Sequence, residues 1–276
     1  NQRSPGAIQT NMAVIGYENR DGHIAALLDN GSELEANLLI GADGIHSAIR
    51  TQMHGEQQPR FTGNVAWRAT VPVNQLNKLA PDPTACVWVG KGRHAVTYRL
   101  RGGELANIVA VVERNDWQSE SWMECGSREE ALADFSGWHP TVRTMLEKAE
   151  THYRWALFDR EPLTHWHDGR AVLLGDSCHA MLPFLAQGAT MALEDSLALS
   201  MALESNKYNS LEDKLKNYFN LRIARTSRIQ SGARKNMKVF HKPGFAYAPV
   251  QLATRAKPDL MHNRMDWIYD YEIPTN

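Results

Sequence analysis

The spacing of apolar and polar positions changes character along the chain. Residues 12–18 and 23–28 are short apolar runs on either side of Asn19, Arg20, Asp21 and Gly22. An Asp-Gly pair between two such runs predicts a β-hairpin. A second turn is predicted at Asp29, Asn30 and Gly31. Residues 38–44 then set a buried-type strand directly before a turn of small residues, and 47–52 read as one or two helical turns. Asp43 therefore falls at the carboxyl end of a strand.

From 64 to about 114 the pattern becomes alternation, with runs at 65–71, 86–90, 94–100 and 105–113, which predicts an antiparallel meander. Ser127 followed by Glu130 is a capping box for a helix through about Phe135, and Pro140 suits the first turn of another carrying Val142, Met145 and Leu146 on one side. A strand at 153–158 follows. Residues 171–174 are again a buried strand, with Gly175-Asp176 after it, a loop closed by Pro183, and a long helix over about 187–204. That strand, acidic turn and helix repeat the arrangement around Asp43. Leu211, Leu215, Tyr218, Phe219, Arg222 and Ile223 recur at helical spacing and predict a second long helix to about Lys238. Beyond Pro243 the chain is irregular, with Trp267, Ile268 and Tyr269 as apolar anchors.

A length of 276 residues with 43% hydrophobic and 22% charged positions fits a globular chain of one large or two smaller domains. Periodicity makes it α/β in class, a mixed α+β chain. Thirty basic against 31 acidic residues give no reason to expect nucleic acid or a membrane as partner. Cys86, Cys125 and Cys178 are odd in number and far apart, so a disulfide framework and a cysteine zinc site are both disfavoured and a reducing, cytoplasmic setting is expected. No apolar run approaches the ~20 residues that span a bilayer, and residues 1–6 have neither the apolar core of a signal peptide nor an initiator Met.

Several side chains invite chemistry. Asp43 and Asp176, at strand ends, are placed to accept hydrogen bonds from sugar hydroxyls, or else to cap turns. Gln187-Gly188 opens a helix whose free N–H groups suit an anion. Nine basic and no acidic residues between 214 and 242 read as a solvated helix face, with steering of anions as the alternative. Glu194 and Asp195 read as salt-bridge or capping residues, and His179 as a core histidine. His165, His167 and Asp168 are metal-ligand types without a third spaced ligand, so no metal is expected there.

Two segments carry a resemblance. Gly41-Ala-Asp-Gly-Ile-His-Ser-Ala-Ile-Arg50 and Gly175-Asp-Ser-Cys-His-Ala-Met-Leu-Pro183, the latter continuing to Asp195, appear in this order with a β meander between them. Together they resemble the FAD-dependent aromatic-ring monooxygenases, the single-component flavoprotein hydroxylases of the p-hydroxybenzoate hydroxylase fold. The salicylate hydroxylase, 3-hydroxybenzoate 6-hydroxylase and 6-hydroxynicotinate 3-monooxygenase types are especially similar. Residues 61–68, 102–107, 155–162 and 266–270 extend the likeness over nearly the whole chain.

That resemblance implies FAD as cofactor, NAD(P)H as transient co-substrate, and O₂ activation through a flavin C4a-hydroperoxide that hydroxylates a small aromatic acid. It implies that Asp176, beside Gly175, holds the ribityl chain, and that Asp43, Gly44 and Arg50 lie near the pyrophosphate and the nicotinamide path. Gln187, Gly188 and Ala189 would face the reduced flavin, with Pro183 beside its ring as a catalytic position. A substrate pocket between this loop and one sheet face would draw on Trp67, Arg68, Trp88 and Met181, with Tyr98 and His94 deprotonating or orienting a phenol. Alternation lets only about half of the sheet residues face such a pocket.

The implied organisation is 1–62 as the remainder of a FAD-binding Rossmann-like domain, 63–165 as an antiparallel-sheet substrate domain, 166–206 as the second part of the FAD domain, and 207–276 as C-terminal helix and tail. The family's Gly-x-Gly-x-x-Gly turn is absent from this sequence, so the chain reads as the carboxyl-terminal two-thirds of such a protein. A homodimer is left open. The alternatives are a non-catalytic remnant binding an aromatic ligand or a partner protein without FAD, and a flavin fold turned to epoxidation or dehydrogenation.

Overall fold

A computed structural model describes residues 6–116, 123–257 and 265–274; the opening residues 1–5 lie outside them. The chain divides into two compact units. The first comprises Asn1–Pro59, Arg160–Ala233 and Tyr271–Asn276, the second Arg60–Asp159 and Arg234–Asp270. The expected separate segment from 207 onward is not found: the long helix runs without interruption from Leu211 to Phe240, and the partition falls inside it, after Ala233.

In the first unit, β1 (Val14–Arg20) and β2 (His23–Leu28) form the predicted hairpin, with Arg20 opposite His23 and Gly22 at φ 78° in the turn. A positive φ is the reason a glycine stands there. A third strand, β3 (Glu33–Ala36), extends this sheet; every one of its residues is exposed, and its Glu-Leu-Glu-Ala alternation spans only four residues, directly after the predicted turn at Asp29–Gly31. The strand β4 (Leu39–Gly41) leads into helix α1 (Ala48–His54). It pairs in parallel with β11 (Ala171–Leu173), and β10 (His167–Asp168) closes the other side of β11. Their core gathers Ile49, Trp166, Leu173, Leu199, Leu215 and Tyr218. Leu173 comes from β11, Ile49 from α1, Trp166 from the chain just before β10, Leu199 from α5 (Gly188–Glu204), and Leu215 and Tyr218 from the first part of α6 (Leu211–Phe240), with Cys178 of the short helix α4 (Asp176–His179) in the same core.

The second unit is built on one antiparallel sheet in the order β6-β7-β8-β5-β9. The strands are β5 (Arg60–Pro72), β6 (Cys86–Gly90), β7 (Arg93–Leu100), β8 (Leu105–Glu113) and β9 (Tyr153–Asp159). Register fixes the faces, because residues directly opposite on paired strands point the same way. Val65, Trp67, Ala69, Val71, Ala95, Ile108 and Ala110 share one face, packed with Phe135, Val142, Met145 and Leu146 of helices α2 (Arg128–Asp134) and α3 (Pro140–Lys148) and the α2 C-cap. Arg68, His94 and Tyr98 lie on the other face. The predicted capping box is present: Ser127 Oγ accepts from Glu130 N at 3.1 Å, and the Glu130 carboxylate accepts from Ser127 N.

Candidate functional site

The two similar segments of the first unit are joined at their strands. Gly41 and Leu173 are opposite each other in the parallel pair, and a Cβ on Gly41 would come within 2.9 Å of Ile49, so only glycine lets α1 pack this close. Ser177 Oγ donates to the Gly41 carbonyl at 2.6 Å and accepts from Leu174 N at 3.1 Å. Arg50, 4% exposed, reaches the Ile45 carbonyl at 2.8 Å and the Ser177 carbonyl at 3.3 Å. Burial, and then the nearby Arg160, lower its proton affinity. These donors of Arg50 hold the two loops to each other.

Asp43 is exposed and turns one oxygen back to Ile49 N at 3.2 Å, assisting Ser47, whose Oγ caps α1 through Arg50 N at 2.8 Å. Gly44 sits at φ 77° with open space where a side chain would be. Gly175, at φ 69°, sends its N–H to Asp195 Oδ2 at 3.1 Å. Asp176 is exposed, and a Cβ on Gly188 would lie 3.9 Å from its Oδ1. At the start of α5 the N-cap Gln187 is buried and offers no side-chain cap; the first bond of the turn runs from Met191 N to its carbonyl at 2.8 Å. The N–H groups of Gly188, Ala189 and Thr190 have no intrahelical acceptor. Pro183 and Ala186 are exposed on the preceding loop, Met181 is half-buried, and Ala186 holds φ 53°.

Behind this loop lies an ion cluster the sequence only partly disclosed. Asp195, fully buried, receives His179 Nε2 at 2.5 Å and Arg222 Nε at 2.7 Å. Glu194 receives Arg222 at 2.7 Å and Arg225 at 3.0 Å. Burial alone would raise the Asp195 carboxyl, but the bonds from His179 and Arg222 hold it below its ordinary range. The basic run is thus corrected in part: Arg222 and Arg225 point inward and are buried, because two acids on α5 face them. Cys178, His179 and Asp195 have ligand-type atoms within 4.8 Å of one another, but Asp195 is already spent on a guanidinium, an imidazole and an amide.

In the second unit, Trp67 is fully buried on the helix-covered face and its Nε1–H donates to Asp134 Oδ2 at 2.7 Å. Trp88 is on that face too, bonded to Thr97 Oγ1 at 3.0 Å. Neither shares a face with Arg68, His94 and Tyr98, so their expected place in one ligand pocket is corrected by register. The Arg68 guanidinium lies over the rings of Tyr153 and Trp155, 5.5 and 5.9 Å from their centres, and makes no ion pair among the described residues. Tyr98 is half-buried. His94 is 1% exposed, its Nδ1 2.8 Å from Nε2 of His241.

Residues 3–231 match the model of a family described as an FAD binding domain. The chain belongs to this FAD-binding family. It is 33% identical to a 3-amino-4-hydroxybenzoate 2-monooxygenase of Streptomyces platensis, over 97% of this chain and 67% of that protein. It is 34% identical to the 3-hydroxybenzoate 6-hydroxylase of Polaromonas naphthalenivorans, over 96% of this chain and 66% of the relative. The 6-hydroxynicotinate 3-monooxygenase of Bordetella bronchiseptica is also 34% identical, with 97% and 65% covered. The chain thus spans about two thirds of these relatives. A salicylate hydroxylase substrate complex shares 28% identity at a TM-score of 0.81, covering 99% of this chain and 71% of the other. Among the described residues no helix is long and apolar enough to cross a membrane.

FAD is the cofactor of the family, and the first unit can be tested against it. The exposed Asp176 carboxylate, which makes no hydrogen bond among the described residues, beside an uncapped helix N-terminus is a donor and acceptor set that fits ribityl hydroxyls and an electron-rich ring edge. The small and exposed Ala186 and Ala189 leave room for a planar ring. The residues present fit the group.

Proposed function

We propose that the full-length protein is an FAD-dependent, NAD(P)H-using monooxygenase that hydroxylates a small aromatic acid of the hydroxybenzoate or hydroxynicotinate kind. The observation that supports this most directly is the uncapped start of α5 beside Asp176, in a chain matched over 96–97% of its length by hydroxylases named for such acids. Bound FAD, reduced by the nicotinamide nucleotide, would supply the electrons that activate O₂.

This chain's residues supply the rest. Asp176 would accept hydroxyl hydrogens of the ribityl chain, while the amides of Gly188 and Ala189 would stabilise negative charge at the ring edge. Arg68, which makes no ion pair among the described residues, offers a positive charge for a substrate carboxylate. Tyr98 and His94, two strands away on β7, offer groups to orient a phenol, roughly 10 Å across the same sheet face. A phenol that has lost its proton is the electron-rich ring such chemistry needs.

The test is turnover by the full-length protein of a panel of hydroxybenzoates, hydroxynicotinates and their methyl ethers. NADH and NADPH oxidation, peroxide and hydroxylated product are measured separately. The expected result is coupled product formation from the free phenols and none from the ethers. Equal turnover of phenol and ether, or peroxide alone across the panel, would overturn the proposal.

A further inference from the structure

After Asp270 the chain rejoins the first unit, and one side chain there reaches the buried ion cluster. The Tyr271 ring centre lies 4.2 Å from the guanidinium carbon of Arg225 and 5.7 Å from that of Arg222. Two residues on, Ile273 packs against the core of the same unit and so fixes the chain beside α6. Arg222 is fully buried and Arg225 is 6% exposed, whereas Tyr271 is half-buried. Of the three, the tyrosine is the one that meets solvent.

The donors of Arg222 show what the ring completes. Its Nε donates to Asp195 Oδ1 at 2.7 Å, its Nη2 lies 2.7 Å from Glu194 Oε2, and its Nη1 donates to Tyr271 Oη at 3.4 Å. Arg225 meets the other oxygen of Glu194 at 3.0 Å. A guanidinium is rigid and planar, so acids along one side and an aromatic ring against the other fix its plane. Asp195 then turns its second oxygen to Gly175 N at 3.1 Å, and Asp176 is the next residue in the chain. Contacts therefore run without a gap from Tyr271 through Arg222 and Asp195 to Gly175. Without the ring, water would reach the two guanidiniums, and charge pairs weaken steeply as the surrounding dielectric rises.

We propose that Tyr271 is a positioning residue for the flavin: its ring seats Arg222 and Arg225 on Asp195 and Glu194, and Asp195 in turn holds Gly175 so that Asp176 is aimed at the ribityl chain. That Asp176 meets FAD rests on the reading under Proposed function. Tyr271 itself acts only through Arg222 and Asp195. A packed network of this kind couples two places when a change at one end alters the arrangement at the other, and that coupling can be measured.

Fluorescence titration of the full-length apoprotein with FAD reads the far end of the network. Tyr271→Ala should weaken FAD binding about ten-fold, and Tyr271→Phe, which keeps the ring, should stay within about three-fold of the unaltered protein. In an Asp195→Asn background the link is already cut, so Tyr271→Ala should add less than about two-fold. Unchanged affinity in Tyr271→Ala, a loss in Tyr271→Phe as large as in Tyr271→Ala, or effects that multiply in the double variant would overturn the proposal. Hydrogen exchange followed by mass spectrometry keeps the test decisive if Asp195→Asn is too unstable to titrate. Tyr271→Ala should speed exchange of residues 173–180, which include the Gly175 amide, and leave β2 of the same unit unchanged. Equal acceleration in both segments, or none in 173–180, would refute the positioning role. If the unaltered full-length protein binds no FAD, the flavin reading falls, and the exchange data alone decide whether Tyr271 holds the loop.

Discussion

Replacing Asp195 by Asn removes one charge from the buried cluster and leaves the volume nearly unchanged. The side chain serves three donors, Gly175 N, His179 Nε2 and Arg222 Nε, at 3.1, 2.5 and 2.7 Å. Removing one partner of a buried ion pair costs about 3–5 kcal/mol, because the other charge is left uncompensated. Here Arg222 keeps Glu194 at 2.7 Å, which sets the expectation at the lower end, about 3 kcal/mol. For units of this size that lowers the melting midpoint by about 10 °C. Tryptophan fluorescence is a direct assay, since the Trp166 ring centre lies 5.4 Å from that of His179. The pH dependence follows in sign. A carboxyl held below its ordinary range stabilises the folded state above its unfolded pKa and loses that contribution as pH falls through the folded value. Asp195→Asn should therefore flatten the acid limb of the stability curve. The exposed pair Lys216 and Glu212, 2.6 Å apart, is the control: Lys216→Ala should change nothing measurable. A loss below about 1 kcal/mol in Asp195→Asn would refute the argument that the cluster holds the Gly175 loop in place.

Three further outcomes can be measured. Asp176→Ala in the full-length protein should weaken FAD binding by about 1–3 kcal/mol, read by fluorescence titration of the apoprotein; unchanged affinity would remove Asp176 from the ribityl contact. Gly41→Ala should destabilise by about 1–3 kcal/mol in urea, because its Cβ would meet Ile49 at 2.9 Å, and a neutral result would mean that α1 can yield. Burial, then the neighbouring His241, pushes His94 down to about 3, so its ring resonances should not titrate between about pH 5 and 8. The unfolded chain binds that proton more readily, so this group's contribution to stability falls as pH drops below its unfolded value toward 3, and a midpoint near 6.5 in the folded protein would contradict the burial.

Much of the fold was readable because the signals were local. Asp21-Gly22 between apolar runs, Ser127 with Glu130, and the alternation of 94–100 each follow from a few adjacent residues, and each element is present at that place. The exposed strand β3 alternates over only four residues, Glu33 to Ala36, too short a run to stand out from the turn before it. The sheet faces needed register: Trp67 and Arg68 are neighbours in sequence, and only the pairing of β5 with β8 and β9 says that the tryptophan goes under the helices and the arginine to the other face. A one-residue difference in strand register exchanges the two faces, which is why aromatic residues on a predicted meander cannot be assigned to a pocket by type alone.

The site was legible where its parts are contiguous and hidden where they are not. Gly41 to Arg50 and Gly175 to Ala189 are each one stretch of chain readable as a unit, and the structure joins them through the β4–β11 pair and the Ser177–Gly41 bond. Arg222 lies 27 positions from Asp195, and a run of basic residues on a helix gives no sign of which ones turn inward. The discriminating signal was present: Arg222 and Arg225 are three apart, so they share a helix face, and the acids Glu194 and Asp195 lie within an otherwise apolar helix. An acid among buried positions requires a buried cation, and the nearest helix with two on one face was the place to look. His94 and His241 are separated by 147 positions and carry no such pairing rule, since neutral imidazoles have no opposite charges to match. Only the fold could bring them to 2.8 Å.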